Sequence, residues 1–305
     1  VKAKSDVLPV SLPTYSNIFG QWLCDMAKQD SRLVAITPAM REGSDLINFS
    51  NQFPNRYFDV AIAEQHAVCL SAGFATQKTK PVVAIYSTFL QRAYDQVIHD
   101  VCVQNLDVTF AIDRAGLVGE DGPTHAGVFD LAYLRTLPMI IIAAPSSEAE
   151  CRLLLTTCYK HPGPAAVRYP RGQGPGDLPD NQLNTVDIGK ARKRRDGSSK
   201  IVILAFGSRV SDALIAAESL DAVVYDMRWV KPLDEKILDK VVKFELIVTV
   251  EEHQRMGGAG SSVGEYYADQ GPVVNLLSLG LPDRFEPHGK PHDMIARCKL
   301  DAKGI

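Results

Sequence analysis

No stretch of this sequence is apolar for long enough to cross a bilayer, so neither a transmembrane helix nor a membrane partner is expected. The opening residues, VKAKSDVLPV, lack the apolar core of a secretory signal. They also lack an initiator methionine, which points to a processed piece or fragment. No Cys-x-x-Cys pair occurs among the six cysteines, at 24, 69, 102, 151, 158 and 298. Several lie inside apolar patterns, which suits reduced, buried thiols in a cytosol rather than disulfides or zinc. Neither sign of charge prevails, with 33 Lys and Arg against 36 Asp and Glu, so no nucleic-acid partner is expected. The locally basic run Lys190–Lys200 contains a turn signal, Asp196-Gly197, and reads as a solvated hairpin or linker. The Gly-rich GGAGSSVG at Gly257–Gly264 lacks the third glycine of a dinucleotide fingerprint and the Lys-Ser/Thr of a P-loop. It reads as tight packing rather than a phosphate site.

What is present is apolar material in short, regular pieces. Hydrophobic residues make up 46% of the 305, enough for a substantial core, and the length suits two domains. Buried-strand runs such as RLVAIT (32–37), PVVAIY (81–86), DVTFAID (107–113) and KIVILAF (200–206) alternate with helical patterns. Among the helices are one capped by Thr14 that runs to about Lys28, one over Ser87–Asn105 and one over Ser147–Tyr159. The alternation predicts α/β architecture, with two successive α/β domains and mainly parallel sheets. The Pro/Gly/Asp-rich stretch Pro170–Asp187 is the expected boundary. It gives an arm over 1–13, a first domain over 14–172, a linker over 173–187 and a second domain over 188–305.

The chain is organised around Tyr57–Ala75 (YFDVAIAEQHAVCLSAGFA). An apolar run, Tyr57–Ala63, predicts a buried strand. A helix follows, with Ala63, Ala67, Leu70 and Phe74 on one face. Glu64 stands at the join, at the carboxyl edge of a sheet where ligands bind. A helix N-terminus favours its charged form and an apolar surround its neutral form. The Gly-rich loop Arg114–Gly127 follows a strand at the same edge and gathers Arg114, Glu120, Asp121 and His125. A histidine beside carboxylates suits proton transfer near neutral pH. Arg92, Arg168 and Arg171 flank the same edge in sequence and suit a phosphate or carboxylate ligand.

The segments VAIAEQHAV (Val60–Val68), AIYSTFLQRAYDQVIHDV (Ala84–Val101), FAIDRAGLVGEDGPTHAGVFDL (Phe110–Leu131) and AVRYPRG (Ala166–Gly172) closely resemble the 1-deoxy-D-xylulose-5-phosphate synthases, thiamine-diphosphate enzymes of the transketolase superfamily. The later segments DMRWVKPLD (Asp226–Asp234), VTVEEHQRMGGAG (Val248–Gly260) and LGLPDRFEPHG (Leu279–Gly289) do so too. The family has a diphosphate- and magnesium-binding domain, a pyrimidine-binding domain and a C-terminal domain. The GDG motif of the first is absent here, so the resemblance covers the last two.

The resemblance implies a transferase that decarboxylates pyruvate and joins the product to glyceraldehyde 3-phosphate. Glu64 would hydrogen-bond the aminopyrimidine of thiamine diphosphate, and Phe89 would stack on it, with Tyr86 and Ile62 also lining the cofactor. Tyr86, Arg92, Arg114, Asp121, His125 and Arg171 would surround the acceptor, with Glu64, His125 and Asp121 as the catalytic groups. The Mg2+ ligands would lie on the missing N-terminal diphosphate-binding domain, so no metal ligand is expected on this chain. A homodimer and a cytoplasmic location, or the plastid stroma in a plant, follow from the same resemblance. The small β-type subunit of a two-chain 2-oxo-acid dehydrogenase has the same two domains. However, the phosphate-directed arginines and the YPRG segment speak against a lipoyl acceptor. A non-catalytic scaffold is opposed by the intact Glu64, Phe89 and His125.

Overall fold

Thr14 starts the first helix. Its hydroxyl accepts the Asn17 N–H, and the Asn17 side chain accepts the Thr14 N–H in return, so two end donors are satisfied together. Helix Tyr15–Gln29 then buries Ile18, Trp22 and Met26, the face expected from helical spacing. The structure, a computed structural model, describes residues 12–305. The expected arm over 1–13 lies outside the described residues as far as residue 11.

Among the described residues, twelve strands follow in chain order. They are β1 (Leu33–Thr37), β2 (Tyr57–Asp59), β3 (Lys80–Tyr86), β4 (Thr109–Asp113), β5 (Ile141–Ala143) and β6 (Ala165–Arg168), then β7 (Arg192–Arg195), β8 (Ile201–Ala205), β9 (Val223–Asp226), β10 (Trp229–Lys231), β11 (Leu246–Gln254) and β12 (Leu276–Leu281). The first sheet has seven strands ordered β10-β5-β6-β4-β3-β1-β2, and the second has five ordered β12-β11-β8-β9-β7. Pairing is parallel except for β10 with β5 and β7 with β9. The chain thus forms two α/β units with mainly parallel sheets, as expected.

The inner strands of the first sheet are unbroken apolar runs because both faces are covered. Val82 and Ala84 of β3 pack under helices Tyr15–Gln29 and Glu148–Lys160, while Val83 and Ile85 pack under helix Glu64–Thr76. One buried cluster continues from Ile85 and Phe110 through Leu131 and Leu134 to Val202 and Leu204 of the second sheet. Residues 175–180 contain neither helix nor strand. The chain nevertheless crosses back, because β10 carries the fully buried Trp229 onto the edge of the first sheet.

Several local expectations are corrected. The run Tyr57–Ala63 is not one buried strand. β2 ends at Asp59, and Asp59 Oδ1 accepts the N–H groups of both Ala39 and Ala61, turning the chain out of the sheet. On helix Glu64–Thr76 the buried positions are Glu64, Ala67, Val68, Ser71 and Ala72, while Leu70 and Phe74 only border the core. The helix expected over Ser87–Asn105 is broken into Ser87–Leu90, a 3₁₀ turn Gln91–Ala93, Tyr94–Gln96 and a π-turn Val97–Cys102. Such irregular turns re-aim side chains beside sites. Lys190–Lys200 is no free hairpin, since it supplies edge strand β7. Its cations are paired with Glu150, Asp196, Asp221, Asp226, Asp234 and Glu245.

Candidate active site

The carboxyl ends of five parallel strands bring Thr37, Asp59, Tyr86, Asp113 and Arg168 to one edge of the first sheet. Glu64 opens its helix at this edge without a side-chain cap before it, and it is only 3% exposed. Its Oε1 is ion-paired with Arg92, whose side chain is half in solvent. The break after Leu90 turns Arg92 back across its own segment, so its guanidinium lies 5.1 Å above the Phe89 ring. Phe89 stacks on Tyr86 with ring centroids 5.7 Å apart and planes 12° apart. His125 meets Phe89 edge-on at 5.5 Å. Arg114 lies 4.2 Å above the Tyr86 ring. Glu64, Arg92, Phe89, Tyr86, Arg114 and His125 therefore form one chain of contacts.

Arg114 takes a left-handed backbone (φ 57°) directly after β4. Its Nη1 donates to Asp113 Oδ2 at 2.7 Å, Ser16 Oγ at 3.0 Å and the Gly43 carbonyl at 2.8 Å. Burial pushes the Asp113 carboxyl above its ordinary range, and the Arg114 charge opposes that push. Burial likewise raises the Tyr86 phenol, with Arg114 and Arg171 pulling it down and Asp113 and Asp121 pushing it up. Asp121 and Arg171 are thus within electrostatic reach of the same ring. They also touch each other, since Arg171 Nη1 donates to the Val118 carbonyl at 2.6 Å and lies 3.2 Å from Asp121 and 3.6 Å from Glu120. The loop closes on itself through paired bonds between Gly116 and Gly127. The Thr124 hydroxyl lies 2.9 Å from His125 Nδ1. Ile62, by contrast, stands 77% exposed at the rim.

Arg168 ends its strand at this edge, but its side chain does not join the site. It turns beneath the loop and holds Asp130 at 2.7 and 3.2 Å, both residues being buried. Sequence reasoning missed Ser16, Gly43 and Asp113. The first two had no signal, while an aspartate at the end of a buried strand beside Arg114 was a legible one. It also missed what fills the Gly257–Gly264 turn. There the buried Glu251 carboxylate accepts the N–H groups of Ala259 (2.6 Å) and Gly260 (2.8 Å). A Cβ on Gly258 would overlap that carboxylate. The chain's own anion occupies the helix N-terminus, which bears out tight packing and excludes a bound phosphate there. Next to it His253 is fully buried; its Nε2 accepts the Leu131 N–H and its Nδ1 donates to the Gln254 carbonyl.

Arg171 also lines a cavity of about 360 Å³ between the two units, with Tyr15, Leu117, Arg209, Glu252 and His292 on other walls. Glu64, Tyr86 and Phe89 are not on its walls; Glu64 is buried and the two rings are partly buried. Among the described residues, no cluster of three or more His, Cys, Asp and Glu side chains could hold a metal ion, and no helix is long and apolar enough to cross a membrane.

Residues 12–176 match the family model described as "Transketolase, pyrimidine binding domain", and residues 189–305 match "Transketolase, C-terminal domain". The chain is 61% identical over 297 residues to the 1-deoxy-D-xylulose-5-phosphate synthase of Pseudomonas syringae pv. tomato, covering 97% of this chain and 47% of that protein. It is 62% identical over 294 residues to the synthase of the same name from Pseudomonas aeruginosa, covering 96% and 47%. The chain spans about half the length of the curated relatives it matches. A solved structure described as "Split gene transketolase, inactive beta4 tetramer" superposes with a TM-score of 0.85 at 25% identity, over 96% of both chains. The transketolase of Campylobacter jejuni shares the fold at a TM-score of 0.78 and 18% identity, covering 99% of this chain and 47% of its own.

Proposed function

From the premise that this chain belongs to the transketolase family, whose pyrimidine-binding and C-terminal domains it carries, we propose that it is the pyrimidine- and acceptor-binding half of a 1-deoxy-D-xylulose-5-phosphate synthase. In that reaction pyruvate loses carbon dioxide, and the remaining two-carbon unit is joined to the aldehyde carbon of glyceraldehyde 3-phosphate. The observation that carries this reading is the buried Glu64 carboxylate linked through Arg92 to the Phe89–Tyr86 stack, on a chain 61% identical to a synthase of that name.

The residues present fit thiamine diphosphate. Glu64 is an acceptor-only carboxylate, held rigidly at a helix start, that can take a ring N–H. Phe89 and Tyr86 offer aromatic surface for a pyrimidine, and Ile62 offers an apolar rim. When bound, the cofactor supplies the electron sink for decarboxylation. The chain's residues do the rest. Glu64 holds a proton at the pyrimidine nitrogen, a task that requires Arg92 to release it. Arg92, Arg114 and Arg171 orient the acceptor's phosphate by charge-assisted bonds. His125 and Asp121 face its aldehyde and hydroxyl groups, where a proton must reach the aldehyde oxygen as the carbon–carbon bond forms.

The exposed Ile62 and half-solvated Arg92 beside Glu64 and Phe89 fit a site completed by a diphosphate-binding domain, which would also bring the Mg2+ ligands. The exposed Ile62 and Val103, and a split-gene relative described as a tetramer, support self-association, here as a homodimer. The six unpaired cysteines accord with a reducing compartment such as the cytoplasm.

The test is synthase turnover by the chain alone and with the diphosphate-binding domain supplied in trans. Activity only in the reconstituted pair is expected. Turnover by the chain alone, or a reconstituted pair that ignores glyceraldehyde 3-phosphate, would overturn the reading. Sedimentation at micromolar concentration reads the assembly, and a monodisperse monomer would count against the homodimer.

A further inference from the structure

The second α/β unit supplies none of the residues proposed to touch cofactor or acceptor, yet its strand β11 runs into the site loop. Parallel pairing of β11 with β8 ends at Val250, and the chain continues as Glu251–Gln254, all buried. Glu252 Oε1 accepts the Leu117 N–H of the loop at 2.9 Å. Its other oxygen is anchored at home, accepting from the Ser208 hydroxyl at 2.7 Å and lying 3.2 Å from Arg209. Gly116, just before Leu117, has φ 107°, and a Cβ there would overlap Glu252 Oε1. Only glycine permits this approach.

The next links lead outward. The carbonyl of Val118, the residue after Leu117, receives Arg171, and Arg171 reaches Asp121. The second unit adds one more hold, since the Gly289 N–H donates to the Gly119 carbonyl at 3.3 Å. The far end of this segment is tied within the loop, by Gly122 N–H to Gly119 and by the His125 N–H and Thr124 hydroxyl to the Gly122 and Asp121 carbonyls, whereas the Leu117 N–H bonds to the second unit and the Val118 carbonyl to Arg171.

We propose that Glu252 is a positioning residue through which the second unit sets the acceptor side of the site. Its carboxylate fixes Leu117, and through Val118 it fixes the place of Arg171 and Asp121. The site role of those two residues rests on the function proposed above, but the contact itself does not. Glu252 touches neither cofactor nor substrate. Its loss therefore acts on acceptor binding and leaves the keto-acid side in place.

Three variants of the complete enzyme test this. Glu252→Ala removes the anchor. Glu252→Asp keeps a charge beside Arg209 but falls a methylene short of Leu117, and it serves if the alanine variant does not fold. Glu252→Gln keeps an acceptor for Leu117. Amide exchange over Leu117–Gly122 is expected to quicken about tenfold in the Ala and Asp variants, with Ile112 and Ile203 unchanged, and to stay near the parent rate in the Gln variant. The KM for glyceraldehyde 3-phosphate should rise about tenfold in the same two variants, with kcat and the KM for pyruvate moving much less. Loop exchange at the parent rate in both the Ala and Asp variants overturns the inference whatever the assay reads. So does an equal rise at Ile112 and Ile203. Faster loop exchange in an enzyme that makes no synthase product upholds the positioning contact and removes the proposed function instead.

Discussion

Glu64 and Arg92, 28 positions apart in sequence, meet as an ion pair in which the carboxylate is buried and the guanidinium is half in solvent. Such a pair adds little to stability, since a solvated partner is screened and its ordering is entropically costly. The carboxylate is thus available for chemistry once Arg92 swings away. Glu64→Gln keeps size and an acceptor but cannot share a proton. In the complete enzyme, exchange of the cofactor's acidic ring proton, followed by NMR, should slow at least about a hundredfold, with thermal stability nearly unchanged. A parent-like exchange rate in a folded Glu64→Gln enzyme would remove Glu64 from this role.

Arg171 sits among loop acids and is more than a third exposed. Replacing it by alanine costs little stability, because exposed pairs contribute about 0–1 kcal/mol. On the proposed function it also removes a charge-assisted donor to the acceptor's phosphate. The KM for glyceraldehyde 3-phosphate is expected to rise about ten- to a hundredfold, the equivalent of one such bond. Single-turnover decarboxylation of pyruvate should keep its rate. Equal losses on the two sides would mean that Arg171 supports the fold rather than the acceptor.

Two neighbours on β11 tilt stability in opposite directions. Burial lowers the His253 imidazole to about 4, so between about 6.5 and 4 the unfolded chain takes a proton that the folded one refuses, and stability is lost as pH falls. Burial raises the Glu251 carboxyl to about 7 against the pull of Gly260 and Ala259, so stability is lost as pH rises from about 4.5 to 7. Each effect is on the order of 3 kcal/mol at most. Relative to the parent, Glu251→Gln should unmask a profile rising with pH, and His253→Gln one falling with pH. Denaturant midpoints between pH 4.5 and 7.5 read both. Asp226, raised by burial to about 6, adds the same falling slope to parent and variants alike.

Arg168 and Asp130 are both buried, and each is the other's charge partner. Arg168→Met should therefore destabilise by about 3–5 kcal/mol, by leaving Asp130 uncompensated. The double variant Arg168→Met with Asp130→Leu should recover most of that loss, because no buried charge remains. Equilibrium unfolding of the two proteins decides it. A double variant as unstable as the single one would show that the network, not the charge, carries the effect.

Much of the fold was legible because its signals are local. The Thr14 cap, the helical face of Ile18, Trp22 and Met26, and the apolar runs of β3, β4 and β8 depend on neighbours a few residues away. The early end of β2 was less so, since it turns on Asp59 reaching Ala39 across 20 positions. The break after Leu90 likewise defeats a steady helical period that the sequence keeps through Val101.

Residue order alone determined the alternating architecture, the gathering of Glu64, Tyr86 and Arg114 at strand ends, and the family resemblance, because strand and helix periods and short motifs are properties of adjacent residues. Tertiary structure decided which arginine meets which acid. Arg92 is paired with Glu64, Arg171 with Asp121, and Arg168 is drawn away beneath the loop to Asp130. It also decided that β10 crosses to the first sheet and that Glu251 and Glu252, adjacent in sequence and alternating in direction, serve different places. Glu251 closes its own helix N-terminus, and Glu252 holds the opposite unit's loop at Leu117. Charge partners over long separations are chosen by which side chains the packed sheets bring within a few ångströms, and no local pattern encodes that distance.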